Sequence, residues 1–168
     1  MKRPQPDEYG SFHKTYIDLA PDDVLTELEN QLNDFPEFMS SIPQHKHEFA
    51  YAEGKWTLKE LLGHMLDTER IMTYRLLRFS RNDSTALQGF EEDEYVLNST
   101  YRHRKFAELV DEFKAVRFAN LFLFKSLSDE QLNRRGTASN LPVSVRVLLF
   151  IIAGHLNHHK RIIQERYL

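Results

Sequence analysis

Residues 144–167 read SVRVLLFIIAGHLNHHKRIIQERY, and this segment is the strongest indication of the fold. Its apolar residues recur at steps of three and four, which is the spacing of one face of an α-helix. The segment begins almost wholly apolar and ends with Lys160, Arg161 and Arg166, and the helix dipole favours positive charge near a C-terminus. These features predict one long helix over this range, with its apolar stripe facing the interior of a helical domain.

The same periodicity predicts three further helices, at about residues 21–42, 57–79 and 101–127. The second of these begins with Thr57 and Glu60, which have the spacing of a capping box. Pro36 interrupts the first pattern, so we expect a kink or a break in that helix. Four amphipathic helices in a chain of this size predict an all-α fold, a four-helix bundle.

The remaining segments are expected to hold little regular structure. They are an extended lead-in at residues 1–20, a long loop between the second and third helices at 80–100, a capped turn at 128–132 and a loop at 136–142. No stretch of useful length has the period-two alternation of a β-strand. We therefore expect residues 1–168 to form a single domain around one core.

The composition excludes several classes of function. The 168 residues include 22 Lys and Arg against 25 Asp and Glu, and this net charge of −3 argues against nucleic acid as a partner. Cysteine is absent, which excludes disulfides, thiolate catalysis and Cys-ligated metal sites. No apolar run is long enough for a transmembrane helix, and the N-terminus lacks the apolar region of a signal peptide. We therefore expect a cytoplasmic protein that binds no membrane.

Histidines interrupt the apolar faces of two predicted helices. His155 and His159 are four residues apart, so they lie about 40° apart on the inward face of the fourth helix. Two imidazoles at this spacing can bind one metal ion, and a third ligand has to come from a facing helix. His64, at the edge of the apolar stripe of the second helix, is the best candidate. Three imidazoles leave coordination positions open, as in catalytic sites where a metal ion lowers the pKa of bound water toward ~7.

Three segments, in addition, resemble a known family. They are KWTLKELLGHMLDTER at 55–70, GFEEDEY at 89–95 and GHLNHH at 154–159. Their order, spacing and helix positions are similar to those of the DinB superfamily, the DinB/YfiT-like metalloenzymes, and the likeness covers nearly the whole chain.

The resemblance implies a fold, a metal site and a range of chemistries. The fold is a four-helix bundle with an up-down-down-up order, and the metal ligands are His64, His155 and His159, with His158 as an additional histidine that is not a ligand. Zinc or nickel is the expected metal, with manganese or iron as alternatives. Relatives include metal-dependent hydrolases and transferases that use bacillithiol, mycothiol or glutathione. The resemblance thus implies a small-molecule substrate, a low-molecular-weight thiol as a possible second cofactor, and a homodimer.

Four polar residues on the second helix have more than one interpretation. Asp67 could orient a ligand imidazole, or it could be a charge on the helix surface. Glu69 and Arg70 are better explained by interhelical ion pairs than by catalysis. Arg75 lies on the same edge of the helix as His64 and could meet an anionic group of a substrate.

The acidic run Glu91–Glu94, followed by Tyr95, could form a lid over the open metal positions. A solvated acidic loop is the simpler interpretation, and we prefer it. The histidines that have no partner at ligand spacing are expected at the surface, and these are His13, His45, His47 and His103.

Two functions therefore remain open from the sequence. The first is a metal-dependent enzyme that activates water or a thiol for hydrolysis or thiol transfer on a small molecule. The second is a non-catalytic dimeric helical bundle, such as a stress-related binding protein, with a structural or vestigial metal site. A small-molecule carrier that uses a pocket between helices is a third, weaker alternative.

Overall fold

The computed structural model describes all residues from Met1 to Leu168, and the chain is predominantly helical. The helices and strands follow in this order: α1 Lys14–Leu19, α2 Val24–Ser40, α3 Leu58–Ser80, α4 Glu92–Leu97, α5 Phe106–Lys125, α6 Asp129–Leu132, β1 Arg135–Ala138, β2 Leu141–Ser144 and α7 Val145–Ile162. The four long helices α2, α3, α5 and α7 correspond to the four predicted ones. No helix combines the length and the apolarity that crossing a bilayer requires.

Side-chain caps mark the beginning of the two helices that matter most below. Thr57 Oγ1 accepts a hydrogen bond from the Glu60 N–H, and the Glu60 carboxylate accepts one from the Thr57 N–H at 2.8 Å. The predicted capping box of α3 is therefore confirmed. Ser144 Oγ accepts from the Val147 N–H at 3.2 Å and caps α7. Each cap satisfies an N–H that has no partner within the helix.

The first long helix differs from its prediction in two ways. α2 begins at Val24, later than predicted, because the Asp23 side chain caps it. It continues through Pro36 without a break, although proline cannot donate a helical hydrogen bond. Phe35 and Met39 flank the proline and are almost completely buried, so packing of this helix against the core outweighs the one lost bond.

The long helices are not arranged as simple sequential neighbours. α2 and α3 each pack against both α5 and α7, and they do not pack side by side. The core contains two clusters of buried side chains. One joins the beginnings of α2 and α7 to the ends of α3 and α5, and the other joins the opposite ends of these helices. The connection between α2 and α3 therefore crosses the bundle.

A β-hairpin occupies the segment at 136–142 that was predicted to be a loop. β1 pairs antiparallel with β2 along its whole length. Ser139 and Asn140 form the two-residue turn with φ of 52° and 62°, and positive values at both positions are typical of a type I′ hairpin. Each strand has only four residues, which is too short for a clear alternating pattern. The prediction of a loop at 136–142 is therefore wrong.

The predicted loop at 80–100 is anchored rather than free. The Leu87 N–H donates to the Thr137 carbonyl at 2.9 Å, and the Ser139 N–H donates to the Leu87 carbonyl at 3.0 Å. Further along, α4 forms a short helix that packs on α3. The hairpin thus holds one end of this segment against the bundle, and α4 holds the other.

The N-terminal segment differs from the extended lead-in expected at 1–20. It contains two 3₁₀ turns followed by α1. The buried Glu8 carboxylate accepts a hydrogen bond from Ser144 Oγ at 2.7 Å, which fixes the segment to the start of α7. α1 packs against α7 at Gly154, where the Tyr16 backbone occupies the space that a Cβ would need. The segment is therefore part of the packed structure.

Buried polar groups connect all four long helices near the middle of the bundle. Arg117 of α5 is fully buried, and it donates from Nε and Nη2 to the two carboxylate oxygens of Glu69 on α3 at 2.8 and 2.9 Å. Its Nη1 donates to Gln31 Oε1 on α2 at 2.7 Å. Gln31 Nε2 donates in turn to the Ala153 carbonyl on α7 at 3.0 Å. Both buried charges are thus paired and hydrogen-bonded, which burial of ions requires.

We expect Arg117→Ala to lower the free energy of unfolding by about 3–5 kcal/mol, because it leaves the Glu69 carboxylate buried without a counter-ion. Arg161→Ala is the matched control, since Arg161 forms an exposed ion pair with Glu165. Exposed pairs of this kind contribute about 0–1 kcal/mol. Urea unfolding followed by circular dichroism measures both variants, and equal losses would contradict the role of the buried network.

Candidate metal centre

The structure brings the three predicted histidines together between α3 and α7. His64 Nε2 lies 3.0 Å from His155 Nε2, and His159 Nε2 lies 3.1 Å from the same atom. The candidate ligand atoms of all three residues lie within 4.8 Å of one another. All three side chains are buried, with exposed fractions between 5% and 8%. The four-residue spacing on α7 and the facing position on α3 thus produce the convergence expected from the sequence.

These distances fit a shared cation. Two imidazole nitrogens bound to one zinc ion at about 2.0–2.1 Å lie roughly 3 Å apart for bond angles near 90–110°. Hydrogen bonds among the rings alone satisfy the cluster poorly, because His155 Nε2 has a single proton or a single lone pair for two contacts. The Nδ1 atom of His159 is also buried and has no hydrogen-bond partner. The donor set therefore suits a divalent metal ion.

Burial keeps the three imidazoles in the form that binds metals. Removal from water lowers the pKa of His64 to about 4, although the negative charge of Asp93 opposes this shift. Burial also lowers the pKa values of His155 and His159 well below the ordinary value, and the neighbouring histidines add to the effect. All three side chains are therefore neutral near pH 7, and a neutral imidazole has a lone pair free for coordination.

Aromatic rings hold two of the imidazoles in place. The Trp56 ring lies against His64 with 4.8 Å between ring centroids, and the Tyr16 ring meets His155 edge to face at 5.3 Å. Trp56 immediately precedes the capping residue of α3, and Tyr16 lies on α1. Two segments outside the four long helices thus restrict how the histidine rings can turn.

Two cavities reach the cluster from different sides. The first, of about 250 Å³, is lined by His159, Trp56 and Asp93. The second, of about 200 Å³, is lined by His155 and Glu92. Each cavity thus places space for a small molecule beside one of the α7 histidines.

The acidic run Glu91–Glu94 lies at the mouths of both cavities. Asp93 lines the first cavity and Glu92 the second, while both side chains remain exposed to solvent. Tyr95 is half exposed and packs edge to face on Phe90 at 5.2 Å. The exposure of the run agrees with the solvated segment that we preferred from the sequence, and its place on the cavity walls brings Glu92 and Asp93 close to the histidines as well.

The structure separates the other polar residues of α3 by role. Glu69 pairs with Arg117, as described above, and Arg70 pairs with Glu112 of α5. The prediction that both form interhelical ion pairs is confirmed. Asp67 accepts a hydrogen bond from the Tyr101 hydroxyl at 2.6 Å, so its partner is a tyrosine and not a ligand imidazole. Burial raises the pKa of Asp67.

Two of the four histidines predicted to lie at the surface are partly buried. His13 lines the second cavity, and its Nδ1 is buried without a partner, so the surface prediction is wrong for this residue. His47 stacks on Phe106 with 3.8 Å between ring centroids. His45 and His103 are exposed, as predicted. His158 packs edge to face on Tyr16 at 5.6 Å and is not one of the three converging histidines.

Sequence reasoning missed several residues around the site. Tyr16 and His13 come from the N-terminal segment, and their approach to α7 depends on packing at Gly154, which no local pattern indicates. Arg117 was not singled out, although a lone arginine within the apolar stripe of the third predicted helix is a usable signal for a buried ion pair.

Comparison with known proteins agrees with the fold. The model of the DinB superfamily matches residues 27–163. No curated protein matches the chain. A solved structure described as YfiT from Bacillus subtilis, "a probable metal-dependent hydrolase with an unusual four-helix bundle topology", superposes with a TM-score of 0.74 at 16% identity, over 96% of this chain and 89% of that one.

A second similar structure is described as a mycothiol-dependent maleylpyruvate isomerase. It superposes with a TM-score of 0.65 at 15% identity, over 86% of this chain. This chain covers 61% of the length of that protein. At these identities the two likenesses show a shared fold.

The pKa of His64 generates a test of its burial. The pKa of His64 is about 4 in the folded, metal-free protein, against an ordinary value of 6.5. At pH values between these two, the unfolded chain binds a proton at His64 that the folded protein does not, so the stability of the folded protein falls as the pH falls. From about pH 7 to about pH 4.5, we expect the native protein to lose on the order of 2–3 kcal/mol more stability than His64→Gln. Urea unfolding in the presence of a chelator measures the difference. Parallel pH profiles for the two proteins would contradict the burial of a neutral His64.

Proposed function

Because the chain belongs to the DinB superfamily and brings three buried imidazole nitrogens together, we propose that it is a divalent-metal-dependent enzyme. His64, His155 and His159 are the proposed metal ligands. The proposed reaction is hydrolysis of a small molecule, or transfer of a low-molecular-weight thiol to one. The observation that carries this proposal is that the Nε2 atoms of His64 and His159 each lie about 3 Å from Nε2 of His155, with all three side chains buried.

The proposed site uses few protein ligands and leaves room for a reactant. A divalent ion held there acts as a Lewis acid and lowers the pKa of a bound water or thiol. The protein contributes neutral imidazoles, a surrounding that excludes bulk water, and cavities on two sides. Three imidazoles suit zinc or nickel, with iron or manganese as alternatives, since nitrogen ligands do not by themselves select one of these metals.

Asp93 is the proposed proton acceptor. It lines the same cavity as His159, and its charge acts on His64. Its carboxylate is exposed, so a proton accepted there can pass to solvent. The descriptions of the two similar structures, one hydrolase and one thiol-dependent isomerase, support testing both water and thiols as nucleophiles.

A helix order and a homodimer belong to the same proposal. The up-down-down-up order is supported by the first core cluster, in which the beginnings of α2 and α7 meet the ends of α3 and α5. The homodimer is supported by two large side chains on α5, Phe118 and Phe122, which are 55% and 68% exposed and pack on each other at 5.2 Å. Exposed aromatic pairs are uncommon on a surface that contacts only water.

The same aromatic pair favours the second candidate function, a non-catalytic dimeric bundle. In that case a bound metal would only connect α3 to α7, and loss of His64 would cost a large part of the thermal stability. A catalytic site predicts only a small loss of thermal stability. His64→Ala would then remove metal and activity, while the Arg117–Glu69 network continues to hold the helices together. The melting temperature of His64→Ala separates the two functions.

We expect one equivalent of divalent metal per chain in protein purified without a histidine tag. His64→Ala, His155→Ala and His159→Ala should each weaken metal binding at least about 100-fold. Removal of a metal ligand is expected to cost at least as much affinity as removal of a neighbouring group that orients a ligand. The exposed His103→Ala is the control and should bind normally. Elemental analysis and competition with a chelator measure the effect. Unchanged binding after replacement of all three histidines would overturn the metal site.

We further expect chelation to abolish the activity and one of the divalent metals to restore it. A panel of ester and amide substrates tests hydrolysis, and a panel of thiols with small electrophiles tests thiol transfer. Asp93→Asn should lower the maximal rate roughly 10²–10⁴-fold, the usual contribution of a general base, and leave metal binding intact. Turnover that persists in the metal-free protein would contradict the proposal.

A further inference from the structure

Arg75 is a buried cation that has no counter-ion. Two arginines of the chain are buried, and the other, Arg117, is paired with Glu69. Arg75 on α3 is 5% exposed, and no carboxylate oxygen lies within 4.0 Å of its guanidinium. A buried charge is costly unless it is paired, so an unpaired arginine indicates a role that compensates for this cost.

Neutral groups hold the Arg75 guanidinium in position. Nη2 donates to the Gln88 carbonyl at 2.9 Å and to Ser139 Oγ at 3.2 Å, and Nη1 contacts Met72 Sδ at 3.8 Å. The Phe90 ring lies with its centroid 5.9 Å from the guanidinium carbon. These contacts fix the orientation of the guanidinium. Nε donates to no protein acceptor, so its N–H remains free to bind a ligand.

The guanidinium faces the second cavity, the one that His155 also lines. Thr68 lines the same cavity, and its hydroxyl is buried and has no hydrogen-bond partner. The volume of about 200 Å³ is below the roughly 300–1,000 Å³ of pockets for drug-sized ligands. The cavity therefore suits a small molecule with one end at Arg75 and the other near the histidines.

The other titratable groups on the cavity wall leave the positive charge uncompensated. Burial, together with the charge of Arg75, lowers the pKa of His13, which is therefore neutral at pH 7. Glu92 is the only carboxylate on the wall, but it is exposed and forms no ion pair. Tyr16 is uncharged, because burial raises its pKa. One fixed cation in a small cavity matches a ligand with one negative charge.

We propose that this cavity binds the carboxylate of a small aliphatic acid substrate, with Arg75 pairing with the carboxylate and the reactive end directed to the three-histidine site. The inference rests on the proposed function for the role of that reactive end. The N–H groups of Nε and Nη1 have no oxygen acceptor in the protein and can donate to a carboxylate, and the single charge suits a monoanion better than a phosphate dianion. Arg75 and His155 line the same cavity, so a short carbon chain with its carboxylate at Arg75 lies within the space that reaches the histidines.

The test compares hexanoate with hexanamide, which has nearly the same shape and no charge. Isothermal titration on the protein with one equivalent of zinc should give at least about a 10-fold preference for hexanoate, the usual effect of a charged hydrogen bond. Arg75→Met should abolish the preference, since methionine replaces the charge by an apolar chain of similar length. Arg81→Met is the matched control, because Arg81 is exposed at the end of the same helix and should leave the preference unchanged.

Further variants make each outcome decisive. Arg75→Lys keeps the charge without the planar fork, so its preference should be intermediate, and this variant carries the test if Arg75→Met does not fold. No preference for hexanoate in the native protein overturns the inference. Preference that survives in both Arg75 variants and disappears in His64→Ala also overturns it, because the carboxylate would then be bound by the metal.

The failure of this inference and the failure of the proposed function are distinguishable. If zinc binds through the three histidines and hexanoate shows no preference, only the carboxylate site is wrong. If zinc does not bind and the Arg75-dependent preference remains, the carboxylate site stands and the metal-dependent function is wrong.

Discussion

The ion pair between Arg117 and Glu69 is the interaction on which the rest of the structure depends. It is buried at the middle of the bundle and reaches α2 and α7 through Gln31. An ion pair in this setting adds little stability in itself, but any sliding or rotation of a helix would leave a charge unpaired in the interior. The network therefore selects one arrangement of the four helices. Glu69 is five residues beyond His64, and Gln31 binds the carbonyl two residues before His155.

The dry interior that this network stabilises also decides the chemistry of the site. Burial lowers the pKa values of the three imidazoles, so each stays neutral and keeps one nitrogen lone pair with which it can bind a metal ion. The shortage of hydrogen-bond partners makes the metal-free cluster unfavourable, and a bound cation would remove this cost. The low pKa values and the proposed metal site are thus two consequences of the same burial.

Segments outside the long helices turn this cluster into a site with defined surroundings. The hairpin positions Ser139 against Arg75, and its edge holds Leu87 and thereby the chain that leads to Glu92 and Asp93. In the same cavity, α1 brings Tyr16 against His155. The long helices supply the histidines, and the short elements supply the cavity walls, which is where differences in substrate between members of one fold arise.

The sequence by itself determined the four long helices, the cap of α3 and the shared face of His155 and His159, because these depend on spacing along one chain segment. Thr57 and Glu60 cap α3 as predicted, and His155 and His159 share a face of α7 because they are four residues apart. It also identified Glu69 and Arg70 as ion-pair residues from their position on a helix.

Only the tertiary structure decided which distant groups meet. Residues far apart in the chain pair Arg117 with Glu69 and place His13 on a cavity wall. The pairing of the two hairpin strands and the neutral surroundings of Arg75 likewise depend on contacts that form only in the folded protein. Local periodicity carries no information about such pairs, since it reports which face of an element is apolar and not what that face contacts. The contacts are set by packing and by the requirement that each buried polar group find a partner.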